Sequence, residues 1–404
     1  MKTFPAKKLI GVTILAGALS WLPVAAMAQD AADTAPAPDA AADAEAAPAV
    51  DGGAAPAYTL PSVAPLNPEQ IKIGNAAEIA AWARSGHADA ASRSFTNWNE
   101  AGTIPPACAA CHSGAGFRAY HGLDGSPSGE VPPTPVGGVI DCDTCHNPGI
   151  GDIREVRLPT GDMHPVRGGE ASCVACHQGR ASGSAITEAV AEKAEDLPNA
   201  DLSFINPHYG TAAAMALGGY AGLGYEYDGK SYEGRFTHAP PVQTCAACHD
   251  PHSLEVVQDS CQTCHGAADA MTIRLSRASH DGSGDTAKGI GHDIAANAFT
   301  LKQVIFDYAR EVAGTPMIYD AGRHPYFFAD ANDDGVIDEA EGARVAYNAW
   351  TPRLLKAAYN WKFVTSDKGA HVHNPHYALQ LLYDSTEDLS RAMGRDFAAM
   401  GWAR

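Results

Sequence analysis

Apolar residues recur at helical spacing mainly in the last third of the chain, and the first clear stretch runs from position 297 to 312. Its apolar face consists of Leu301, Val304, Ile305, Tyr308 and Val312. Gly314 and Pro316 follow directly, and both residue types are typical of a helix end. The pattern therefore predicts one amphipathic helix here.

Two further helices are predicted where a capping residue stands before proline, because this pair is favoured at helix starts. The pair Thr351-Pro352 precedes an apolar side formed by Leu354, Leu355, Ala358 and Tyr359. The pair Asn374-Pro375 precedes another, formed by Ala378, Leu381 and Leu382. We expect these faces to pack on one another or on bound cofactors.

Large apolar residues are sparse between about positions 100 and 200, where Gly, Pro, Ala, Cys and His are frequent. An ordinary aliphatic core is therefore not expected in this region, and something other than side chains should fill its interior. The expected fold class is mainly α with long irregular loops.

The first 28 residues resemble a secretory signal, with Lys2, Lys7 and Lys8 before an apolar stretch and Ala26-Met27-Ala28 as cleavage site. The alternative is an uncleaved membrane anchor, although the apolar stretch is shorter than the ~20 residues of a typical span. No later segment is long and apolar enough to cross a membrane. We expect a periplasmic or extracellular protein without a transmembrane segment after cleavage.

Residues 29–66 are rich in Ala, Pro and Asp and contain no basic residue. Such a composition does not bury enough apolar surface to offset the entropy of ordering, so a disordered linker is predicted. Its role is either a tether or a passive solubilising tail. The formal net charge of the whole chain, −19, disfavours binding to nucleic acid.

All ten cysteines belong to five copies of the motif C-x-x-C-H. In chain order the copies are Cys108, Cys111 and His112; Cys142, Cys145 and His146; Cys173, Cys176 and His177; Cys245, Cys248 and His249; and Cys261, Cys264 and His265. This motif attaches c-type haem, because two thiols bond to the macrocycle while the adjacent imidazole binds the iron. Zinc sites and disulfides are the alternatives, but neither requires a histidine after every cysteine pair. The sequence predicts five covalently bound haems.

The motifs place a pentahaem domain at residues 67–290 and leave a helical C-terminal region at 291–404 that packs on it. Only eleven residues separate His249 from Cys261, so the fourth and fifth haems should be close neighbours. A longer interval between His177 and Cys245 is expected to form its own subdomain.

Twelve histidines lie outside the motifs and are candidates for the sixth iron ligand. The favoured ones are His87, His208, His238, His252 and His373. His252 follows His249 too closely to reach the other face of the same haem, so it should serve an adjacent one. An ordinary polar role stays open for each of the five and is favoured for His121, His164, His280, His292, His324, His371 and His376.

Residues 330–341 match the calcium loop of an EF-hand. The predicted oxygen ligands are Asp330, Asn332, Asp334, Val336 (through its carbonyl), Asp338 and Glu341. Gly335 stands at the turn position of the loop. A single loop without a partner indicates structural Ca²⁺, and the alternative is an acidic surface loop.

With these motifs in hand, the sequence resembles the multihaem c-type cytochromes of respiratory type. The likeness rests on Ser85 to Gly116, Asn206 to His265 (including the run Cys248-His249-Asp250-Pro251-His252), and His373 to Asp384. It implies that the five favoured histidines are distal ligands, giving each haem two histidines. The ammonia-forming nitrite reductases are more distantly similar, but they typically carry lysine in the catalytic motif, where this chain has histidine.

The resemblance implies an exported electron carrier that passes electrons along close haems in a respiratory pathway. The alternatives are a reductase of nitrite, hydroxylamine or a sulfur oxyanion with one open haem, and a subunit of an extracellular cytochrome wire. Redox partners with basic docking patches are expected from the acidity of the chain, and an oligomer is possible.

Overall fold

A computed structural model describes residues 74–167, 169–267 and 269–404. The predicted signal segment and the linker lie outside these residues. The helices of the described part are α1 (Ala76–Trp82), α2 (Arg93–Thr96), α3 (Pro106–His112), α4 (Gly114–Tyr120), α5 (Cys142–His146), α6 (Glu170–His177), α7 (Gly183–Val190), α8 (Ala212–Leu217), α9 (Cys245–Cys248), α10 (Asp259–His265), α11 (Ile290–Glu311), α12 (Pro352–Ser366), α13 (Ala370–His373) and α14 (Pro375–Ala392).

Strands contribute little, because each described sheet is a pair of antiparallel strands two or three residues long. The pairs are β1 (Thr103–Ile104) with β2 (Thr134–Pro135), β3 (Glu155–Arg157) with β4 (Met163–Pro165), β5 (Met317–Tyr319) with β6 (Phe327–Ala329), and β7 (Glu339–Ala340) with β8 (Ala343–Arg344). The fold is therefore mainly α, with long irregular connections.

The three helices predicted from apolar periodicity are present as α11, α12 and α14, and they pack on one another. Thr351 caps α12 by accepting a hydrogen bond from the Leu354 amide at 3.1 Å, and Asn374 caps α14 through the Tyr377 amide at 3.2 Å. These side chains satisfy backbone donors that the first helical turn leaves open. Both predicted helix starts are confirmed.

Helix α11 begins seven residues before its predicted start, at Ile290 instead of Asn297. The sequence pattern missed this first part because Asp293, a charged residue, lies on its buried face. Arg274 neutralises that carboxylate at 2.6 Å, so a charge occupies a position where an apolar residue is expected.

The main hydrophobic core lies around α11, α12 and α14 and includes side chains from the segment before them, such as Ile186, Met215 and Leu223. A much smaller cluster surrounds Phe117 and Val156. Because the main core draws residues from both sides of position 290, the two predicted regions share an interior. The proposed boundary between a haem domain and a C-terminal region stays a prediction.

Candidate haem sites

Each C-x-x-C-H motif lies on a short helix or at its end. The motifs fall on α3, α5, α6, α9 and α10, and His249 follows the last residue of α9. Residues three apart share one face of a helix, so both sulfurs of a motif project to the same side. Asp141 stabilises α5 by accepting from the Thr144 amide at 3.1 Å. These helices present two thiols and an imidazole together, as thioether attachment requires.

The ten motif cysteines all lie within the described residues, and none of them forms a disulfide. The disulfide alternative is therefore not what the structure shows. Four of the thiols are exposed and the other six are half-buried; the exposed ones are Cys142, Cys145, Cys245 and Cys264. On α10 the exposed Cys264 stands beside the half-buried Cys261. Attachment of haem to these thiols stays a prediction.

A second histidine faces the motif histidine in four of the five motifs. The distances between ring centroids are 5.8 Å for His112 and His208, 6.1 Å for His146 and His252, 6.5 Å for His177 and His87, and 6.3 Å for His249 and His373. Each second histidine is one that the sequence favoured, and each lies 90 residues or more from its motif histidine in the sequence.

The fifth motif histidine, His265, lies close enough to His238 for its charge to act there. Burial lowers the pKa of His238, and the charges of His265 and His373 lower it further. Every motif histidine therefore has a favoured histidine nearby.

These separations fit a metal ion between two imidazoles. With imidazole–metal bonds of about 2 Å, two rings on opposite sides of one ion have centroids about 6 Å apart. The four measured distances, from 5.8 to 6.5 Å, bracket this value. The residues present thus fit haem iron with two axial histidines, while their role as ligands stays a prediction.

Hydrogen bonds set the tautomer of three of the paired rings. The Nδ1 atom of His112 donates to the Ser94 carbonyl at 2.8 Å, and Nδ1 of His177 donates to the Gly210 carbonyl at 2.9 Å. A carbonyl only accepts, so Nδ1 carries the proton and Nε2 keeps its lone pair for a metal. His373 has its Nδ1 at 2.7 Å from the Asp367 carboxylate.

Burial lowers the pKa of five of these ten imidazoles and so favours their neutral form, which binds a metal. It lowers the pKa of His208 to about 4, and the neighbouring charges of His112, Arg180 and Lys362 act in the same direction. Burial also lowers the pKa of His87, with help from His177. For His373 burial acts in the same direction, but the hydrogen bond and charge of Asp367 outweigh it and raise the pKa.

The attachment helices lie against each other. Cys111 Sγ on α3 is 3.6 Å from the Ala175 carbonyl oxygen, and Cys176 Sγ on α6 is 4.0 Å from that of Ala110. The first and third motifs are therefore neighbours, with their sulfurs side by side.

The third motif also touches the second and the fourth. A side-chain hydrogen bond between Cys173 and Cys245 raises the pKa of Cys173 and lowers that of Cys245 to about 7. Burial raises the pKa of Cys145, and a hydrogen bond with Ser172, next to Cys173, opposes this rise. Four of the five motifs thus meet at α6.

The fourth and fifth motifs are also neighbours. Burial raises the pKa of Cys248, and the nearby Cys261 thiol raises it further. A main-chain hydrogen bond also joins the two motifs: the Val257 amide, four residues before Cys261, donates to the Cys248 carbonyl at 2.8 Å.

The described residues between positions 226 and 279 include no buried residue, although this segment carries two motifs. A folded segment of this length normally buries apolar residues. The observation fits a large apolar cofactor as the packing partner of this segment.

Among the other seven histidines, the ring contacts of His121, His164 and His280 are with residues other than a motif histidine. His280 hydrogen bonds to Ser276 at 2.8 Å and to the Ala403 carbonyl at 2.8 Å, so both of its nitrogens have partners. His121 packs on Phe117 at a centroid distance of 4.5 Å. These positions agree with the ordinary structural roles favoured for this group.

The predicted calcium loop follows β6, contains β7 and is followed by β8, so the two helices of an EF-hand are absent around it in the described chain. The buried Asp330 carboxylate accepts from the amides of Asp334 and Gly335, both at 3.0 Å. Within the described residues, no three His, Cys, Asp or Glu side chains converge as a metal site would require. The remaining predicted ligands are largely exposed, and calcium binding stays a prediction.

Sequence reasoning found the candidate ligands but missed the residues that hold one of them. Asp367 hydrogen bonds to the ring of His373. Gly369 leaves room for that ring, because a Cβ added at this position would lie 2.6 Å from His373 Cε1. The short sequence separation from His373 is the one signal that could have found them.

None of the described helices combines the length and the apolar character needed to cross a membrane.

Part of the chain is similar to polyhaem c-type cytochromes of Geobacter sulfurreducens. It is 28% identical over 265 residues to the C-type polyheme cytochrome OmcB, a match that covers 55% of this chain and 31% of that protein. It is 29% identical over 266 residues to the C-type polyheme cytochrome OmcC, covering 55% and 30%. The chain thus spans about a third of the length of these curated relatives.

No family model matches the sequence, and no solved structure matches it. By their names the two relatives are C-type polyheme cytochromes, and this chain shares with such proteins the C-x-x-C-H motif that attaches c-type haem.

Proposed function

We propose that the chain is an exported pentahaem c-type cytochrome that carries electrons along closely spaced haems, each with two axial histidines, in a respiratory pathway. The ligand pairs would be His112 with His208, His146 with His252, His177 with His87, His249 with His373 and His265 with His238. Two strong axial ligands leave no position open for a substrate and suit electron transfer.

The observation that carries this proposal is the pairing of motif and second histidines. Four motifs have four different partners at centroid distances close to the spacing of two imidazoles on one iron. For the fifth motif, the charge of His265 acts on His238.

Contacts between the motifs support a branched order of haems. The third motif touches the first, second and fourth, and the fourth touches the fifth. The third haem would then be the junction, with three routes leading from it. An electron could enter at the first, second or fifth haem and reach any other through neighbours.

The reductase alternative requires one haem without a second histidine, whereas the proposed pairs give every haem two. The wire alternative requires a ligand donated between subunits, whereas the proposed pairs use histidines of one chain. Export to the periplasm or cell surface, docking to basic redox partners and one structural Ca²⁺ belong to the proposal and rest on the sequence patterns alone.

The test is to produce the full chain in cells with c-type haem maturation and to measure its mass and spectrum. We expect a mass increase of five haems and a wholly low-spin ferric spectrum. A colourless protein, or one with the mass of the bare polypeptide, would refute the proposal. Binding of CO or nitrite to one haem of the unaltered protein would favour the reductase.

A variant of one predicted ligand sharpens this test. His252→Ala should convert one of the five haems to a high-spin form that binds CO, because no other imidazole faces His146 in the described chain. The exposed His292, which has no such partner, provides the matched control as His292→Ala. If both variants keep wholly low-spin spectra, His252 is not an axial ligand.

A further inference from the structure

Ten histidines form the five proposed pairs. Within the described chain, only the ring of His373 among these ten hydrogen bonds to a carboxylate. Asp367 Oδ2 lies 2.7 Å from its Nδ1 atom. His112 and His177 use neutral backbone carbonyls at the same position. Four of the five proposed haems thus lack this contact, and the haem of His249 and His373 has it.

The carboxylate is held rigidly. Asp367 follows the last residue of α12, and its side chain is 4% exposed. Its second oxygen, Oδ1, accepts a hydrogen bond from the Gly369 amide at 2.9 Å. Both carboxylate oxygens of Asp367 therefore accept hydrogen bonds, and the residue directly follows α12 in the core. A residue that orients a ligand must be held in this way.

The other side of the ligand is fixed as well. His373 ends α13, and the next residue, Asn374, caps α14 and donates through Nδ2 to the Gly234 carbonyl at 2.9 Å. The imidazole therefore has little freedom to turn away from Asp367.

A negative acceptor on Nδ1 draws its proton and leaves more electron density on Nε2, which raises the basicity of the ligand. A more basic axial ligand stabilises the ferric iron relative to the ferrous iron and lowers the reduction potential. Neutral carbonyl acceptors have a weaker effect, because hydrogen bonds to charged groups are about twice as strong as neutral ones.

We propose that Asp367 is a positioning residue that orients His373 and lowers the reduction potential of the haem shared by His249 and His373 relative to the others. This inference rests on the proposed function, because it concerns one of the five proposed haems. The neighbouring haem of the third motif would then receive electrons from this haem by a downhill step.

The experiment is a redox titration of the haem-loaded full chain and of Asp367→Asn. Asparagine keeps an oxygen for the Gly369 amide but removes the charge. We expect the ferric-to-ferrous equilibrium of one haem to shift at least tenfold toward ferrous, which is 59 mV for a one-electron couple. Should this variant become partly high-spin and recover with added imidazole, the positioning role is supported directly.

The matched control is Asp396→Asn, which removes the same charge from an exposed cap whose only described partner is the Ala398 amide. It should shift every transition by less than threefold. Identical titrations for the unaltered chain and Asp367→Asn, with low-spin spectra in both, would overturn the inference. Haem content and spin state of the unaltered chain test the proposed function separately, so the two failures are distinguishable.

Discussion

Replacing Gly369 by alanine tests the position of His373 without changing any charge. An added Cβ would lie 2.6 Å from Cε1 and 3.0 Å from Nδ1 of the His373 ring. The backbone at Gly369 has φ −99°, which alanine adopts without strain, so the clash with the ring is the whole perturbation. The variant therefore acts on a single proposed ligand.

The size of the effect follows from these distances. Ordinary contact begins at 3.4 Å, so the ring must retreat from 2.6 to 3.4 Å, about 0.8 Å. Overpacking of this kind costs about 1–3 kcal/mol. If that strain acts against the iron-bound position of His373, the affinity of the imidazole for iron falls about 5- to 150-fold.

The assay is CO binding to the reduced, haem-loaded protein, because CO competes with a weakened axial ligand. Gly369→Ala should bind CO at one haem about 5- to 150-fold more tightly than the unaltered chain. Gly151→Ala is the control, since an added Cβ there meets nothing within 4 Å among the described residues. Equal CO affinities of the two variants would show that His373 does not bind iron in the position described.

Four further predictions follow from individual contacts. The Asn360 side chain hydrogen bonds to the buried Tyr225 amide at 2.8 Å and to its carbonyl at 2.9 Å. Asn360→Ala leaves both groups without these partners, so urea unfolding should show that the free energy of unfolding falls by about 2–5 kcal/mol. The control Gln380→Ala, whose hydrogen bond with the Glu233 amide lies at the surface, should lower it by less than about 1 kcal/mol. If residues 330–341 bind Ca²⁺, calcium at about 100 times its Kd should stabilise the unaltered chain and Asp333→Asn by about 2.7 kcal/mol, but not Asp330→Asn; equal thermal shifts in all three would contradict this site. The ring planes of His146 and His252 differ by 5°, and those of His112 and His208 differ by 87°. Electron paramagnetic resonance should therefore resolve a rhombic low-spin signal from the first pair and a strongly anisotropic low-spin signal from the second. The absence of these two signals would contradict the ring orientations. Electron transfer to a basic partner protein should slow as ionic strength rises, because the chain is acidic, and a rate independent of salt would argue against electrostatic docking.

Local chemistry explains why much of the helical framework was predictable. Thr351 and Asn374 cap helices through contacts within three residues, so the pairs with proline indicated both starts. The early start of α11 was not predictable, because the charge of Asp293 is compensated by Arg274, nineteen residues earlier in the sequence. A local pattern carries no information about such a partner.

The EF-hand prediction shows the same limit. The spacing of oxygen-bearing residues in 330–341 matches the loop, but β6 precedes it and β8 follows it in place of helices. The match describes the loop itself, while the elements on either side depend on the pairing of Phe327–Ala329 with Met317–Tyr319.

The sequence by itself determined which residues are the candidates for haem attachment and iron binding. C-x-x-C-H is a covalent requirement satisfied within five residues, as in the run from Cys261 through Cys264 to His265, and the favoured second histidines could be chosen from their local surroundings. Which histidine faces which motif was decided by the tertiary structure alone, because pairs such as His249 and His373 meet only after long segments fold back. The tertiary structure also decided that several motifs meet at α6 and that the Asp367 carboxylate lies behind His373. Both depend on packing between elements, which no local sequence pattern describes.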